Sequence, residues 1–395
     1  MKVGIFTDTY FPQISGVASS IKTLKKELEQ QGHSVIIFTT TDPKAQDNEV
    51  GIIRLPSLPF FSFQDRRVAV KGLHRSVKIA KEQCLDIIHT QTEFSLGLTG
   101  KYIAYQLKIP CVHTYHTMYE DYLHYIAKGK ILRPNHVKIA SKLFCNKSTG
   151  IIAPSKKAAH QLLSYDVTSK IVIIPTGIIL NNFFKKATRN IRKEFSINDE
   201  VPLLLSLGRV AKEKSIDILI NSMPEVLIKQ PTTKLLIVGD GPEKQELECL
   251  VQELDLAKSI YFVGEVESSQ VQAYYQAADL FVSASDSESQ GLTYIESIVS
   301  GTNIVARYND YTEMLTHGGS FGTTFEKDKE LSDAIIKCLT KKTVDIDEEK
   351  RKKNREDLFE MLSSELFGEK VIQFYETMIQ EYEDNKKSVN LLNQR

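Results

Sequence analysis

Two successive series of short, β-rich apolar runs, each run followed by a helical pattern, constrain this chain more than any other feature. The first series is VGIFT (3–7), SVIIFTT (34–40), DIIHTQ (86–91), CVHTYH (111–116) and GIIAPS (150–155), ending with IVIIPTGI (171–178). The second is LLLSLGR (203–209), KLLIVGD (234–240), SIYFVGEV (259–266), LFVSAS (280–285) and TNIVARY (302–308). These runs are apolar on both faces, where a strand with one wet face would alternate. That is the pattern of parallel strands covered by helices on both sides. Two such series predict an α/β chain of two doubly wound, Rossmann-like domains facing a central cleft. The polar stretch 181–200 reads as a linker and entry helix, so the division is expected at 1–180 and 181–369. A final helical pattern, about 370–390, has an apolar stripe through Val371, Phe374, Met378 and Ile379. It is expected to pack back on the first domain.

Composition sets limits on this picture. At 395 residues, 42% hydrophobic and 25% charged, the chain has the profile of a soluble globular protein. No apolar run reaches the roughly 18 residues a membrane span needs. The N-terminus enters a strand-like run without a signal pattern. Five scattered cysteines without CxxC spacing argue for reduced thiols in the cytoplasm, and against a disulfide frame or zinc site. Net charge is zero, but residues 1–180 carry roughly +10 and the remainder roughly −10. A basic half in a neutral chain suggests an anionic partner there.

Ligands of open parallel sheets bind beyond the carboxyl ends of the strands. Gly16 precedes a helical pattern after the first run, where backbone amides can approach a phosphate. An ordinary βα turn fits as well. His116 ends the run CVHTYH and could hydrogen-bond a sugar hydroxyl, or be structural. His113 reads as packing. Gly208 and Arg209 end LLLSLGR, and Lys214 follows across a loop. Two cations at a strand end can hold a diphosphate, Arg by a fork and Lys as a point charge. Gly239, Asp240 and Gly241 resemble the start of a dinucleotide fingerprint, but position 244 is Lys and the match fails. A nucleotide-lining turn and a purely structural turn both fit.

The segment SASDSESQGLTYIESIVSG is the most informative. A polar loop carrying Glu288, Ser289, Gln290 and Gly291 leads into a helix that begins near Leu292 and Thr293. Its N-terminal amides can hold phosphate. Glu288 can meet a sugar hydroxyl, and Glu296, a turn into the helix, can grip a ribose diol. Two carboxylates beside an anion repel it unless each has a hydroxyl or cation to bind, which favours a polyhydroxylated ligand.

Together these residues resemble glycosyltransferase family four, retaining enzymes of the GT-B fold, along almost the whole chain. The resemblance rests on Gly16, His116, the Arg209/Lys214 pair, VGDGP (238–242), GEV (264–266) and Glu288/Glu296. It implies that Arg209, Lys214, Gly16 and the amides of Gln290 to Thr293 bind the donor diphosphate. It also implies that Glu296 binds the ribose, the Val266 backbone the base, and Glu288 and His116 the sugar. Such enzymes are thought to retain configuration by front-face attack, with the leaving diphosphate acting as base. The N-terminal half is most similar to members that move glucose from UDP-glucose to 1,2-diacylglycerol at the cytoplasmic leaflet. The chain departs from the family pattern at Ser215, usually Gly, and at Asn303, usually Pro.

A lipid acceptor calls for a surface-binding device. Residues 60–81 are expected to form a helix on which Arg67, Lys71, Arg75 and Lys78 fall within about 80° of one another. Arg66 adjoins them, and Lys128, Lys130 and Arg133 form a second basic stretch. Such a helix suits an anionic interface, although helices of any doubly wound domain share the pattern. The expected partners are therefore a nucleotide-sugar, diacylglycerol or a related lipid, and an anionic membrane at the inner face of the cell membrane. Nucleic acid is not expected, because no binding module appears. No tightly bound cofactor and no metal site are expected, since two cations do a metal's work; divalent cation or anionic lipid could stimulate non-specifically. The competing expectations are another acceptor (a glycolipid, a polyprenyl-linked glycan or a protein) and a non-catalytic, membrane-associated nucleotide-sugar-binding protein.

Overall fold

The computed structural model describes residues 1–395 except 14, 47–48, 61–62, 121–132, 341–347 and 393–395. The chain divides into two compact units, Met1–Gly177 with Ser364–Arg395, and Ile178–Ser363.

In unit 1 the strands are β1 (Lys2–Phe6), β2 (Ser34–Thr40), β3 (Ile52–Leu55), β4 (Ser57–Phe60), β5 (Phe63–Ala69), β6 (Ile87–Thr90), β7 (Cys111–Thr114), β8 (Gly150–Ala153) and β9 (Lys170–Ile173). Seven of them form one sheet in the order β3-β2-β1-β6-β7-β8-β9, with every pair parallel. The covering helices are α1 (Gly16–Gln30), α2 (Leu73–Glu82), α3 (Ser95–Leu107), α4 (Pro134–Cys145) and α5 (Lys156–Ser164). The apolar runs follow from this two-sided cover. Val3, Ile5 and Ile87 join one core, while Phe6 and Ile88 join another across the sheet.

Helix α1 shows the local logic. Ser15 caps it by accepting from the Ala18 amide, and Ala18, Ile21, Leu24 and Leu28 face the core at helical spacing. Gly32, at φ +80, ends it in a left-handed conformation natural to glycine.

Unit 2 contains α6 (Asn181–Phe184), α7 (Ile191–Glu194), β10 (Leu203–Leu207), α8 (Ile216–Lys229), β11 (Lys234–Val238), α9 (Lys244–Glu253), β12 (Ile260–Gly264), α10 (Val271–Ala277) and β13 (Leu280–Ser283). It continues through α11 (Leu292–Val299), β14 (Asn303–Arg307), α12 (Asp310–Thr316), β15 (Gly322–Phe325), α13 (Leu331–Thr340) and α14 (Glu348–Met361). Its sheet is also parallel, ordered β12-β11-β10-β13-β14-β15. Leu203 and Leu205 serve one core and Leu204 the other.

The last helix, α15 (Ser364–Leu392), returns to unit 1 and begins earlier than its stripe suggested. Val371, Phe374, Tyr375 and Met378 enter the core beside α1. Each such side chain contributes about 1.5–3 kcal/mol by burial. Gly150 gives the helix room, since a Cβ there would lie 2.4 Å from Met378 Sδ.

The continuous helix expected over 60–81 is corrected. β4 and β5 pair antiparallel, and among the described residues only Leu73–Glu82 is helical. Pro59 and the neighbouring aromatics favour a strand over a helix, which overrides the basic residues' spacing. Arg67 therefore sits on β5, donating from Nε to Ser57 Oγ (2.9 Å) and from Nη2 to Ser57 O (2.8 Å). Arg66 shares that strand, with its side chain outside the described set. Lys71, Arg75, Lys78 and Arg133 are exposed, while Lys128 and Lys130 lie outside the described residues.

Candidate active site

In each sheet the strand order reverses beside one strand. β1 lies between β2 and β6, and β10 lies between β11 and β13. Loops diverge at such a switch point and leave a crevice at the strands' carboxyl ends. The candidate residues follow β1, β7, β10, β11, β12 and β13, so most of them gather at these two points.

In unit 2 the turn after β10 presses against the turn after β11. Gly208 N donates to Val238 O (2.9 Å), Gly239 N to Gly264 O (2.8 Å) and Val210 N to Asp240 O (3.0 Å). A Cβ on Gly239 would lie 1.8 Å from Gly208 O, and one on Gly241 would lie 2.2 Å from Val210 O. These glycines therefore serve close backbone approach. Asp240 is exposed and bonds the Gly241 amide within its own turn. Val266 follows β12 with its side chain against the core. Arg209 is half-buried directly after Gly208.

Lys214 closes a single 3-10 turn, Lys212–Lys214. Its Nζ pairs with Glu288 Oε1 at 2.5 Å, a partnership across 74 residues that spacing could not reveal. Ser285 and Ser287 both donate to Glu213 O at 3.0 Å, pegging the Glu288 loop to the lysine turn. Arg307 holds the base of the same loop, donating from Nε to Ala284 O (3.0 Å) and pairing with Asp286 and Asp328. Ser215 follows at φ +50, a left-handed conformation that costs a residue with a Cβ about 1 kcal/mol relative to glycine. This gives the expected glycine there a physical reason. Asn303 starts β14 and accepts from Arg351 Nη2 (3.1 Å).

After β13, Ser289 and the buried Gln290 lead to Gly291, which caps α11 at φ +71. The amides of Leu292 and Thr293 open the helix, where intrahelical acceptors are lacking. Glu296, one turn on, accepts from Tyr275 Oη at 2.9 Å. Burial pushes its carboxyl up to about 7, although the tyrosine bond opposes this. Ionising Glu296 in the fold therefore costs free energy. The cost is absent below the ordinary 4.5, grows as pH rises to about 7, and is constant above that. Glu296→Gln is expected to raise the melting temperature of unit 2 by a few degrees at pH 8, on the order of 2 kcal/mol, and not at pH 4. Calorimetry at both pH values checks this, and an equal shift at both would contradict it.

In unit 1, Gly16 is the first residue of α1. His116 lies just beyond β7, with Nε2 2.6 Å from Gln91 Oε1. In the neutral ring one nitrogen donates and the other accepts. Although the ring keeps partial access to solvent, its burial, and secondarily His113, push its pKa down to about 3. The imidazole is therefore a neutral hydrogen-bonding group. His113 is fully buried, bonded to Thr90 and to Glu93 Oε1 (3.1 Å), as a packing residue would be. Glu93 also accepts from Tyr119. Asp8, after β1, is buried and accepts from Thr92 Oγ1 (2.7 Å), Ser95 and the Leu96 amide, so it anchors the start of α3. Burial raises its pKa against those bonds.

The sequence pattern alone does not single out Gln91, Glu93, Tyr275 or Arg307. For Gln91 and Glu93 a signal existed, because they follow β6 at the switch point. Tyr275 and Arg307 act through contacts that only the folded chain brings together.

Comparison with known proteins adds to this geometry. Residues 14–182 match the family model Glycosyltransferase Family 4, and residues 187–357 match Glycosyl transferases group 1. The alpha-monoglucosyldiacylglycerol synthase of Streptococcus pneumoniae is 46% identical over 95% of this chain and 85% of its own length. The enzyme of that name from Acholeplasma laidlawii is 34% identical over 85% and 87%. Among solved structures, HepE of Anabaena in complex with UDP superposes with a TM-score of 0.74 at 18% identity, covering 95% of this chain and 100% of that one. Sucrose-phosphate synthase of Thermosynechococcus elongatus gives 0.76 at 21%, covering 96% and 99%.

Proposed function

The chain belongs to glycosyltransferase family 4, with the two Rossmann-like units of the GT-B fold, and from that premise we propose that it moves glucose from UDP-glucose to 1,2-diacylglycerol with retention at the anomeric carbon. The carrying observation is the Lys214–Glu288 pair at the β10/β13 switch point, where Arg209 follows β10 and α11 starts after the loop that leaves β13. Cations and helix amides there suit a diphosphate, and two carboxylates beside them suit the hydroxyls of a ribose and a sugar.

In this reading Arg209 and Lys214 neutralise the diphosphate as its bond to the sugar breaks. The acceptor hydroxyl adds to the anomeric carbon on the face the diphosphate leaves, and a diphosphate oxygen takes the hydroxyl proton. Glu296 accepts from the ribose diol, Glu288 from sugar hydroxyls, and neutral His116 bonds a sugar hydroxyl. Gly16 offers a backbone amide to phosphate, and the Val266 backbone reads the base. The names of the two synthases similar in sequence support glucose and diacylglycerol as the transferred group and acceptor. A radiolabelled-donor assay across diacylglycerol, glycolipid, polyprenyl-phosphate and protein acceptors tests this; product with a non-lipid acceptor alone would overturn it.

We place the lipid contact on the outer faces of α2, α3 and α4. No helix among the described residues is long and apolar enough to cross a membrane. Phe94, Leu98, Tyr102 and Tyr105 form a stripe along α3 that is 46–78% exposed, and Ile139 and Leu143 are exposed on α4. Neither α3 nor α4 contains an Asp or Glu, and the adjoining α2 exposes Arg75 and Lys78. An apolar stripe flanked by cations suits the inner face of a membrane rich in anionic lipid. Leu98→Ser with Tyr105→Ser is expected to weaken flotation with anionic vesicles about tenfold without changing UDP affinity. Failure of the unaltered chain to float at low salt would remove this contact.

A further inference from the structure

Glu288 has a partner before any substrate arrives. Its Oε1 holds Lys214 Nζ at 2.5 Å, with only 19% and 24% of the two side chains exposed. The pair is built into the backbone. Ser285 and Ser287 both bond Glu213 O, so the carboxylate's loop and the lysine's turn are pinned together one residue from each charge. Arg307 fixes the loop from its other side through Ala284 O. The donor reading above, on which this inference rests, gives the same lysine to a diphosphate.

We infer that Glu288 distinguishes the intact donor from the spent nucleotide by competing with the diphosphate for Lys214. When the diphosphate draws Lys214 away, Glu288 loses its cation beside an anionic ligand. With the sugar attached, hydroxyl donors replace the lysine, and a carboxylate satisfied in this way tolerates the exchange. Once the sugar has been transferred, those donors are gone. The carboxylate then faces the diphosphate without the sugar's hydroxyls, in a half-buried setting where charges interact more strongly than in water. Recapture of Lys214 restores the pair and releases UDP. Glu288 thus favours donor entry and product departure, a role separate from holding the sugar.

Isothermal titration of the full chain with UDP and with UDP-glucose, at low salt, tests the inference. The unaltered chain is expected to bind UDP more weakly than UDP-glucose. Glu288→Gln removes the competing charge at nearly constant shape. It is expected to tighten UDP about tenfold and to leave UDP-glucose unchanged or weaker, so that UDP gains at least about tenfold relative to UDP-glucose. Glu288→Ala repeats the test without the amide, and Lys214→Gln is expected to weaken both ligands. UDP affinity that is unchanged or reduced in both Glu288 variants would overturn the inference, because the carboxylate would then only position the lysine. If the unaltered chain binds neither ligand, the donor reading itself fails, and that result needs no variant.

Discussion

Arg209→Ala and Lys214→Ala are each expected to lower turnover with UDP-glucose by about 10²–10⁴-fold while the chain still folds. Both residues stand in the turn after β10, outside the apolar cores, so truncation leaves no cavity. The loss comes from the transition state, where charge builds on the departing diphosphate and a fixed cation acts without reorganising. The two variants differ in one respect. Lys214→Ala also removes the Lys214–Glu288 ion pair and should melt slightly earlier than Arg209→Ala. Steady-state kinetics beside melting curves checks both points. Normal turnover in either variant would remove that residue from the phosphate site.

Gly239→Ala is expected to destabilise unit 2 by about 3 kcal/mol or more, lowering its melting transition by roughly 10 °C. The residue sits at φ +134, and a Cβ would stand 1.8 Å from Gly208 O. Making room means pulling apart the turns after β10 and β11, which Gly208 N–Val238 O and Val210 N–Asp240 O hold together. Lost backbone bonds then add to the strained dihedral. Gly208→Ala is the control, because its Cβ would meet nothing within 4 Å. It should cost only the strain of its φ of +150. Calorimetry of the two variants reads the difference, and equal melting would contradict the close-approach account. Activity falls with Gly239→Ala as well, since the turn carrying Arg209 is one of the two surfaces pressed together.

The parallel sheets were legible because a strand covered on both faces must be apolar at successive positions. Leu203, Leu204 and Leu205 feed two cores in alternation, and the sequence therefore shows an uninterrupted run. The candidate residues lie beyond the carboxyl ends of those strands, where open parallel sheets bind their ligands. Other features depend on partners distant in sequence. Asp8 is enclosed by Thr92, Ser95 and the Leu96 amide, partners 84 to 88 residues away that its own segment does not reveal. Glu296 reads as a helix carboxylate that can grip a ribose diol, but its spacing does not show that Tyr275 on α10 bonds it or that its burial raises its pKa. The antiparallel pair of β4 and β5 hides behind a basic spacing that mimics a helix, in short strands outside the main sheet where apolar runs give no guidance. Ser215 shows the reverse case. A departure noted only as a letter becomes meaningful once its left-handed backbone is known.

The central claim is most directly tested by mass-spectrometric and NMR analysis of the lipid product formed by the full chain. The reaction would contain equal UDP-glucose, UDP-galactose and GDP-mannose with a membrane lipid extract. The expected product is a single α-linked glucosyl diacylglycerol that draws on UDP-glucose alone. A β-linked product, a product on another acceptor only, or a sugar from another donor would contradict the account.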